Sequence, residues 1–485
     1  MTKRCDLLIR NGTVIDGTRA APFRGDLAVS GSRIAAVGGL AYMAGDHEVD
    51  ATGRVVAPGF IDVHTHDDHV LLDGAMTPKV SQGVTTVVAG NCGVSLAPLV
   101  FDGEPPAPLR LLGQDAYRFA SFRAYVKALE ARPAAVNAVL LVGHSTLRVG
   151  TMSDIDCPAS SDEIAAMRGL LREALDAGAA GFSTGLFYPA GRAAPMTEVI
   201  ALLETLAGTG AVYATHMRDE AGKVEESLAE SFETARAAGV PLIISHHKCM
   251  GRANFGRSPQ TLALIDRARH EQPVGLDVYP YTAGSTELLP AMIGQASRVI
   301  VTWSRTHPEL AGRDLVDIAA AWDVDEACAA ARLQPAGAIY FMMDEADVQR
   351  IMAYPHSMIG SDGLPHDEHP HPRLWGTFPR VLGRYVRELG LLTLEDAVHR
   401  MTGLAATQFR LVDRGVLRPG AFADIVMFDA ATVADRATFE APKIPAAGID
   451  LVVVNGEIVY QDSQTTSARP GRVLHRDGRG EVRTG

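Results

Sequence analysis

The first fifty residues alternate short apolar runs with turn residues: DLLIR, NG, TVIDG, then LAVSGSRIAAVG. Alternation with a period near two predicts half-buried strands. Asn11-Gly12 predicts a hairpin turn between two of them, and Gly31-Ser32 a second turn. The far end has the same character, because AFADIVMFD and IDLVVVNGEIVY are strand-like and Asn455-Gly456 offers another tight turn. The two ends are therefore expected to pair into one small β domain, residues 1–56 with 414–485. Its last residues, SARPGRVLHRDGRGEVRTG, read as a loose polar tail.

Between these ends the pattern changes. Eight apolar runs, VVAPGFIDV, VTTVVAGN, NAVLLVGH, AGFSTGL, AVYATHM, PLIISHH, VGLDVYPY and SMIGSDG, read as buried strands. Stretches with 3.6-residue periodicity separate most of them, among them DEIAAMRGLLREALDAG and EESLAESFETARAAG, each closed by glycine. Eight strands alternating with helices predict an α/β fold, a TIM-like (β/α)8 barrel over residues 57–413. Residues 285–348 break the rhythm between the seventh and eighth strands. They carry their own helical pattern, VDIAAAWDVDEACAAARL, and read as an insertion.

Composition narrows the function classes. A net charge of −12 over 485 residues argues against a nucleic-acid partner, which favours a basic surface. No run of about twenty apolar residues suggests a membrane span, and no signal peptide is evident, so a cytoplasmic location is expected. Five scattered cysteines do not resemble a disulfide framework, and a cysteine with a task here is expected to be a ligand or nucleophile. The expected partner is a small molecule, and the pattern assigns no oligomeric state.

The chemistry gathers at the strand ends. The first strand runs into His64 and His66, the second into Cys92, the fifth into His216, the sixth into His246 and His247, and the eighth into Asp362. In a (β/α)8 barrel those ends converge on one rim, where catalytic groups sit. Mixed nitrogen, sulfur and oxygen donors point to one or two divalent metals, zinc first, with iron, manganese or cobalt as alternatives. A metal supplies an acidified water and a polarised carbonyl, and Asp362 is the natural proton carrier. The alternative is that Asp362 is only a ligand and a neighbouring histidine moves the proton.

At these residues the chain resembles the amidohydrolase superfamily, through GFIDVHTH, the single histidines ending strands five and six, and the aspartate ending strand eight. Within it, GNCGVS, GFSTGLFY, SHHKCMG, DVYPY and GSDGLPHDEHPHPRLWGTFPRVLGRY resemble the N-acyl-D-amino-acid deacylases, or D-aminoacylases. Strand four ends AGFSTGLF and offers no lysine of the kind that bridges the metals of hydantoinases, so Cys92 is the expected anionic ligand. The resemblance implies that Cys92, His216 and His246 hold a tight zinc. It implies a second, weaker position formed by His64, His66 and Asp362. His246 is preferred to His247, which alternation turns to the opposite face.

The resemblance also implies hydrolysis of N-acyl-D-amino acids to a carboxylic acid and the free D-amino acid. Arg373 would clamp the substrate's α-carboxylate, as a guanidinium does well. Tyr279 and Ser285 would supply supporting contacts, and Lys248 would touch the substrate. His144 and the pair Asp219-Glu220 are expected to orient ligands. A deacylase selective for N-acyl-D-glutamate or N-acyl-D-aspartate is the alternative, and a non-catalytic binding protein a remote one.

Overall fold

The computed structural model describes residues 3–113 and 115–484. The strand Lys3–Val14 pairs antiparallel with Phe23–Ser30 and parallel with Met43–Asp50 and Val55–Pro58. Val55–Pro58 then pairs antiparallel with Ile425–Phe428, in the register Val55↔Phe428 and Pro58↔Ile425. That pairing, together with the bridge Arg33↔Phe422, joins the two ends of the chain into one β domain. Its sheet continues through Ile449–Val454 and Glu457–Gln461, over a core that includes Leu7, Leu27, Val56 and Leu451.

Two expectations for this domain are corrected. Asn11-Gly12 is not a hairpin. The chain runs straight through it, with a register shift between Ile9 and Gly12 and Asn11 at φ 61°. The pair makes a β-bulge, which uses the same left-handed conformation as a tight turn. The tail is not loose either. Val473–Arg476 lies parallel to barrel strand Asn137–Gly143, as Ala138↔Val473 and Val139↔Leu474, and forms a hairpin with Val482–Thr484. Glycines and charges surround these strands, and the apolar residues that anchor them, Val473, Leu474 and Val482, are too few to give a periodic signal. The turns at Gly31-Ser32 and Asn455-Gly456 are present as read.

The barrel strands are β1 (Phe60–Asp62), β2 (Val84–Ala89), β3 (Asn137–Gly143), β4 (Gly181–Gly185), β5 (Val212–His216), β6 (Leu242–Ile244), β7 (Val274–Val278) and β8 (Ser357–Ile359). Each pairs in parallel with the next from β1 to β8. The strands are buried along their whole length, as a sheet covered on both faces requires. The helix Ser161–Asp176 starts in a capping box of Ser160 and Glu163, and Val224–Ala238 ends at Gly239, φ 66°.

Between β7 and β8 the chain builds a separate three-stranded antiparallel sheet from Ala283–Glu287, Val299–Ser304 and Ala336–Phe341. Its helical pattern divides into two helices, Leu315–Ala321 and Glu326–Leu333, with Asp323 at φ 51° between them and Asp325 capping the second. Among the described residues, no helix is long and apolar enough to cross a membrane.

A buried polar network fastens the β domain to the barrel. Asp424 is ion-paired with Arg414, accepts from Asn455 N at 2.8 Å and from Asn137 Nδ2 at 3.2 Å, and Asn455 Nδ2 donates to Asn137 Oδ1 at 2.7 Å. Removing one partner of a buried ion pair leaves an uncompensated charge. Asp424→Ala is therefore expected to cost about 3–5 kcal/mol, read from the denaturant midpoint. A loss below about 1 kcal/mol, the scale of an exposed pair, would show that the network does not hold the two parts together.

Candidate metal centre and active site

The six sequence-predicted donors come together at the C-terminal mouth of the barrel, and all are buried. His64 and His66 follow β1, Cys92 follows β2, His216 ends β5, His246 follows β6 and Asp362 follows β8. Cys92 Sγ lies 3.2 Å from His64 Nε2 and 3.3 Å from His246 Nε2. Asp362 Oδ1 is 3.3 Å from His66 Nε2 and 3.6 Å from His64 Nε2. The His216 and His246 rings meet edge to face with centroids 4.4 Å apart. Donor atoms of His64, Cys92, His246 and Asp362 all lie within 4.8 Å of one another, the spacing of groups able to share an ion.

Three of these residues stand on backbone that side chains seldom adopt: Cys92 at φ 54°, His246 at φ 36° and Asp362 at φ 50°. A non-glycine residue there costs on the order of 1–3 kcal/mol, and such residues cluster where function requires them. Flanking glycines make the Cys92 turn possible. Gly90 and Gly93 both have positive φ, and a Cβ at Gly93 would meet Gly185 N at 2.7 Å. The turn thus presses the GNCG segment against the end of β4, GFSTG, which offers no lysine.

Burial alone would push the Cys92 thiol up. His64, His246 and His216 outweigh it and hold the thiol well below the ordinary thiol range, so the sulfur is anionic. Burial likewise opposes ionisation of Asp362, but Arg373, His246, His66 and His64 hold it well below the usual carboxylate range. His66 is pushed up to about 9, with Asp362 and Cys92 overcoming the burial penalty. His66 Nδ1 and His216 Nδ1 are buried with no hydrogen-bond partner. Four imidazoles, a thiolate and a carboxylate packed together, with ring nitrogens left over, fit a divalent cation.

Further carboxylates fix these ligands. Glu220 Oε1 lies 3.1 Å from His246 Nδ1, and its Oε2 lies 3.5 Å from His216 Nε2. Asp277 Oδ1 accepts from His246 N at 3.0 Å, and its Oδ2 is 3.4 Å from His64 Nδ1. Such partners orient a ligating ring and raise its basicity. The sequence reading includes Glu220 but misses Asp277, whose only signal is a carboxylate inside the apolar run VGLDV. Two other expectations change. Asp219 accepts from Ala221 N and Lys223 N before the next helix, and His144 pairs with Glu198 at 3.0 Å. His247 turns away from the mouth, as alternation requires, and its Nε2 meets Thr261 Oγ1 at 2.8 Å.

A cavity opens beside the donors, and all four expected substrate-contact residues line it. Arg373 is the first residue of the helix Arg373–Arg380 and is fully buried. Its Nη1 lies 2.9 Å from Asp362 Oδ2, its Nη2 donates to Ser285 O at 3.0 Å, and its guanidinium sits 4.7 Å over the Tyr279 ring. Lys248 Nζ lies 2.7 and 2.8 Å from the Glu220 oxygens and 2.8 Å from His246 Nδ1. Another part of the wall is largely apolar: Phe187, Met250, Met292, Tyr340, Met342 and Met343. Most of that wall belongs to the insertion between β7 and β8, and Gly251 N donates to Met342 O at 2.8 Å to hold the two loops together.

Comparison with known proteins places this arrangement. A model of the Amidohydrolase family matches residues 47–460. D-aminoacylase of Alcaligenes xylosoxydans xylosoxydans is 56% identical over 473 residues, covering 97% of this chain and 98% of the relative. N-acyl-D-aspartate deacylase of the same organism is 51% identical, over 97% and 95%. Among solved structures, N-acyl-D-glutamate deacylase from Bordetella bronchiseptica, complexed with zinc and a phosphonate inhibitor, superposes with a TM-score of 0.95 at 49% identity, covering 98% of this chain and all of that one. The chain belongs to the amidohydrolase family, within its D-aminoacylase group of N-acyl-D-amino-acid deacylases.

Proposed function

We propose that this enzyme hydrolyses N-acyl-D-amino acids with apolar side chains, using zinc held at the mouth of the barrel. The catalytic unit in this reading is the barrel of residues 57–413 with the insertion of residues 285–348. The zinc, when bound, acidifies a water and polarises the amide carbonyl. Cys92, His216 and His246 would hold it tightly, and His64, His66 and Asp362 would form a second, weaker position. The relatives named for deacylation of D-amino acids, one of them complexed with zinc, support this assignment.

The residues of the chain do the rest. Asp362 takes the proton from the attacking water and delivers it to the amine as the C–N bond breaks. Arg373 binds the α-carboxylate, and because it already lies against Asp362, a substrate clamped there has its amide beside the proton carrier. Tyr279 and Ser285 hold the guanidinium in place. Lys248 lines the cavity with its ammonium already held by both Glu220 oxygens and His246 Nδ1.

The observation that supports an apolar side chain is the pair of cations in the cavity. Arg373 and Lys248 are the only two among its lining residues, and each has a task already. A D-glutamate or D-aspartate substrate brings a second carboxylate, which would find no cation free of an existing ion pair and would lie largely against phenylalanine and methionine. A methionine-rich wall adapts to linear and branched apolar groups alike.

Three outcomes are expected. N-acetyl-D-methionine or N-acetyl-D-leucine should exceed N-acetyl-D-glutamate and every L-isomer in kcat/KM by at least about tenfold, the scale of one unpaired polar contact; a maximum on the acidic D-substrates would reverse the side-chain assignment. Asp362→Asn should retain the tight zinc by metal analysis while kcat falls by about 10²–10⁴; turnover near that of the parent would remove its proton-carrying role. Arg373→Lys should weaken substrates with a free carboxylate more than amidated analogues, and an equal loss on both would exclude a clamp.

A further inference from the structure

The barrel is not closed by a ladder between β8 and β1. Among the described residues the contact there consists of the bridge Thr65↔Gly363, the bond from Asp362 N to His64 O at 2.8 Å, and side-chain links. The seam is also where the weaker metal position must form, since His64 and His66 lie on one side of it and Asp362 on the other. A missing ladder makes the spacing across the seam depend on whatever else holds the two edges.

One side chain is placed to do so. Lys79, in the short helix Thr77–Val80 after β1, is 1% exposed. Its Nζ donates to Asp62 Oδ2 at 2.8 Å and to Ser361 Oγ at 2.9 Å, and lies 3.2 Å from Asp67 Oδ2. Asp62 also accepts from Ser361 N at 2.8 Å through its other oxygen. These three partners flank all three residues of the weaker position: Asp62 precedes His64, Asp67 follows His66, and Ser361 precedes Asp362. Burial alone would push the ammonium down, but Asp62 and Asp67 overcome it and hold Lys79 above its ordinary value. A buried cation surrounded by two carboxylates and a hydroxyl has one well-defined position, so it fixes its neighbours as a peg does.

We propose that Lys79 is a positioning residue that closes the barrel seam and sets the distance between the His64–His66 pair and Asp362, and with it the affinity of the second metal position. The inference rests on the two-position metal reading given above. Lys79 bonds to Asp62, Asp67 and Ser361 and to none of the six donors, and Cys92, His216 and His246 stand at the ends of β2, β5 and β6, away from the seam. A general loss of structure would weaken both positions, whereas loss of the peg weakens one.

The test is a zinc titration of the metal-depleted full-length protein, following both equivalents, for the parent and for Lys79→Met. The first equivalent should bind as in the parent and the second at least about tenfold more weakly, the usual scale for loss of a group that supports ligands. If Lys79→Met does not yield folded protein, Ser361→Ala carries the test, and a selective weakening of the second equivalent is again expected. A second equivalent as tight as in the parent, in a folded variant, overturns the proposal, and so does equal weakening of both. A parent that takes up only one equivalent overturns the two-position reading itself, and the seam proposal with it.

Discussion

Everything at the mouth of this barrel depends on a buried thiolate. Cys92 stands among the rings of His64, His246 and His216, each of which favours its ionised form, and burial would otherwise make that charge very costly. A sulfur anion in such a place is stable only with cations or strong donors around it. Four imidazoles meet part of the need, and a divalent ion meets it fully. The same demand explains the strained backbone at Cys92, His246 and Asp362, because the donor atoms can converge only if the chain turns sharply just past the strand ends.

The fold separates the tasks of the site. The barrel supplies the polar half: ligands from β1, β2, β5, β6 and β8, with Glu220 and Asp277 behind them. The insertion between β7 and β8 supplies the apolar half and touches none of the six donors directly in the contacts described. The donor cluster and most of the apolar lining therefore reside on different parts of the chain. Arg373 joins them, reaching from the barrel helix to the insertion at Ser285 and to Asp362.

Much of this was legible in the sequence because it follows from periodicity and position. Apolar runs located all eight strands, and a donor at the end of five of them located the site. What could not be read comes from tertiary geometry. The left-handed conformation of Cys92, His246 and Asp362 leaves no mark in hydrophobic pattern. Asp277 and Lys79 sit in segments whose local patterns say strand and short helix, and only the folded barrel brings them beneath the ligands. Asn11-Gly12 misled because a hairpin turn and a β-bulge ask the same of the backbone. The terminal strands misled because three or four residues among glycines and charges carry too little pattern to stand out.

The account's central claim is that the sulfur of Cys92 shares a zinc ion with imidazoles at the mouth of the barrel. X-ray absorption at the zinc edge of the protein loaded with one equivalent tests it most directly. The account predicts one sulfur at about 2.3 Å alongside nitrogen or oxygen neighbours at about 2.0–2.1 Å. A zinc environment of nitrogen and oxygen alone would contradict it.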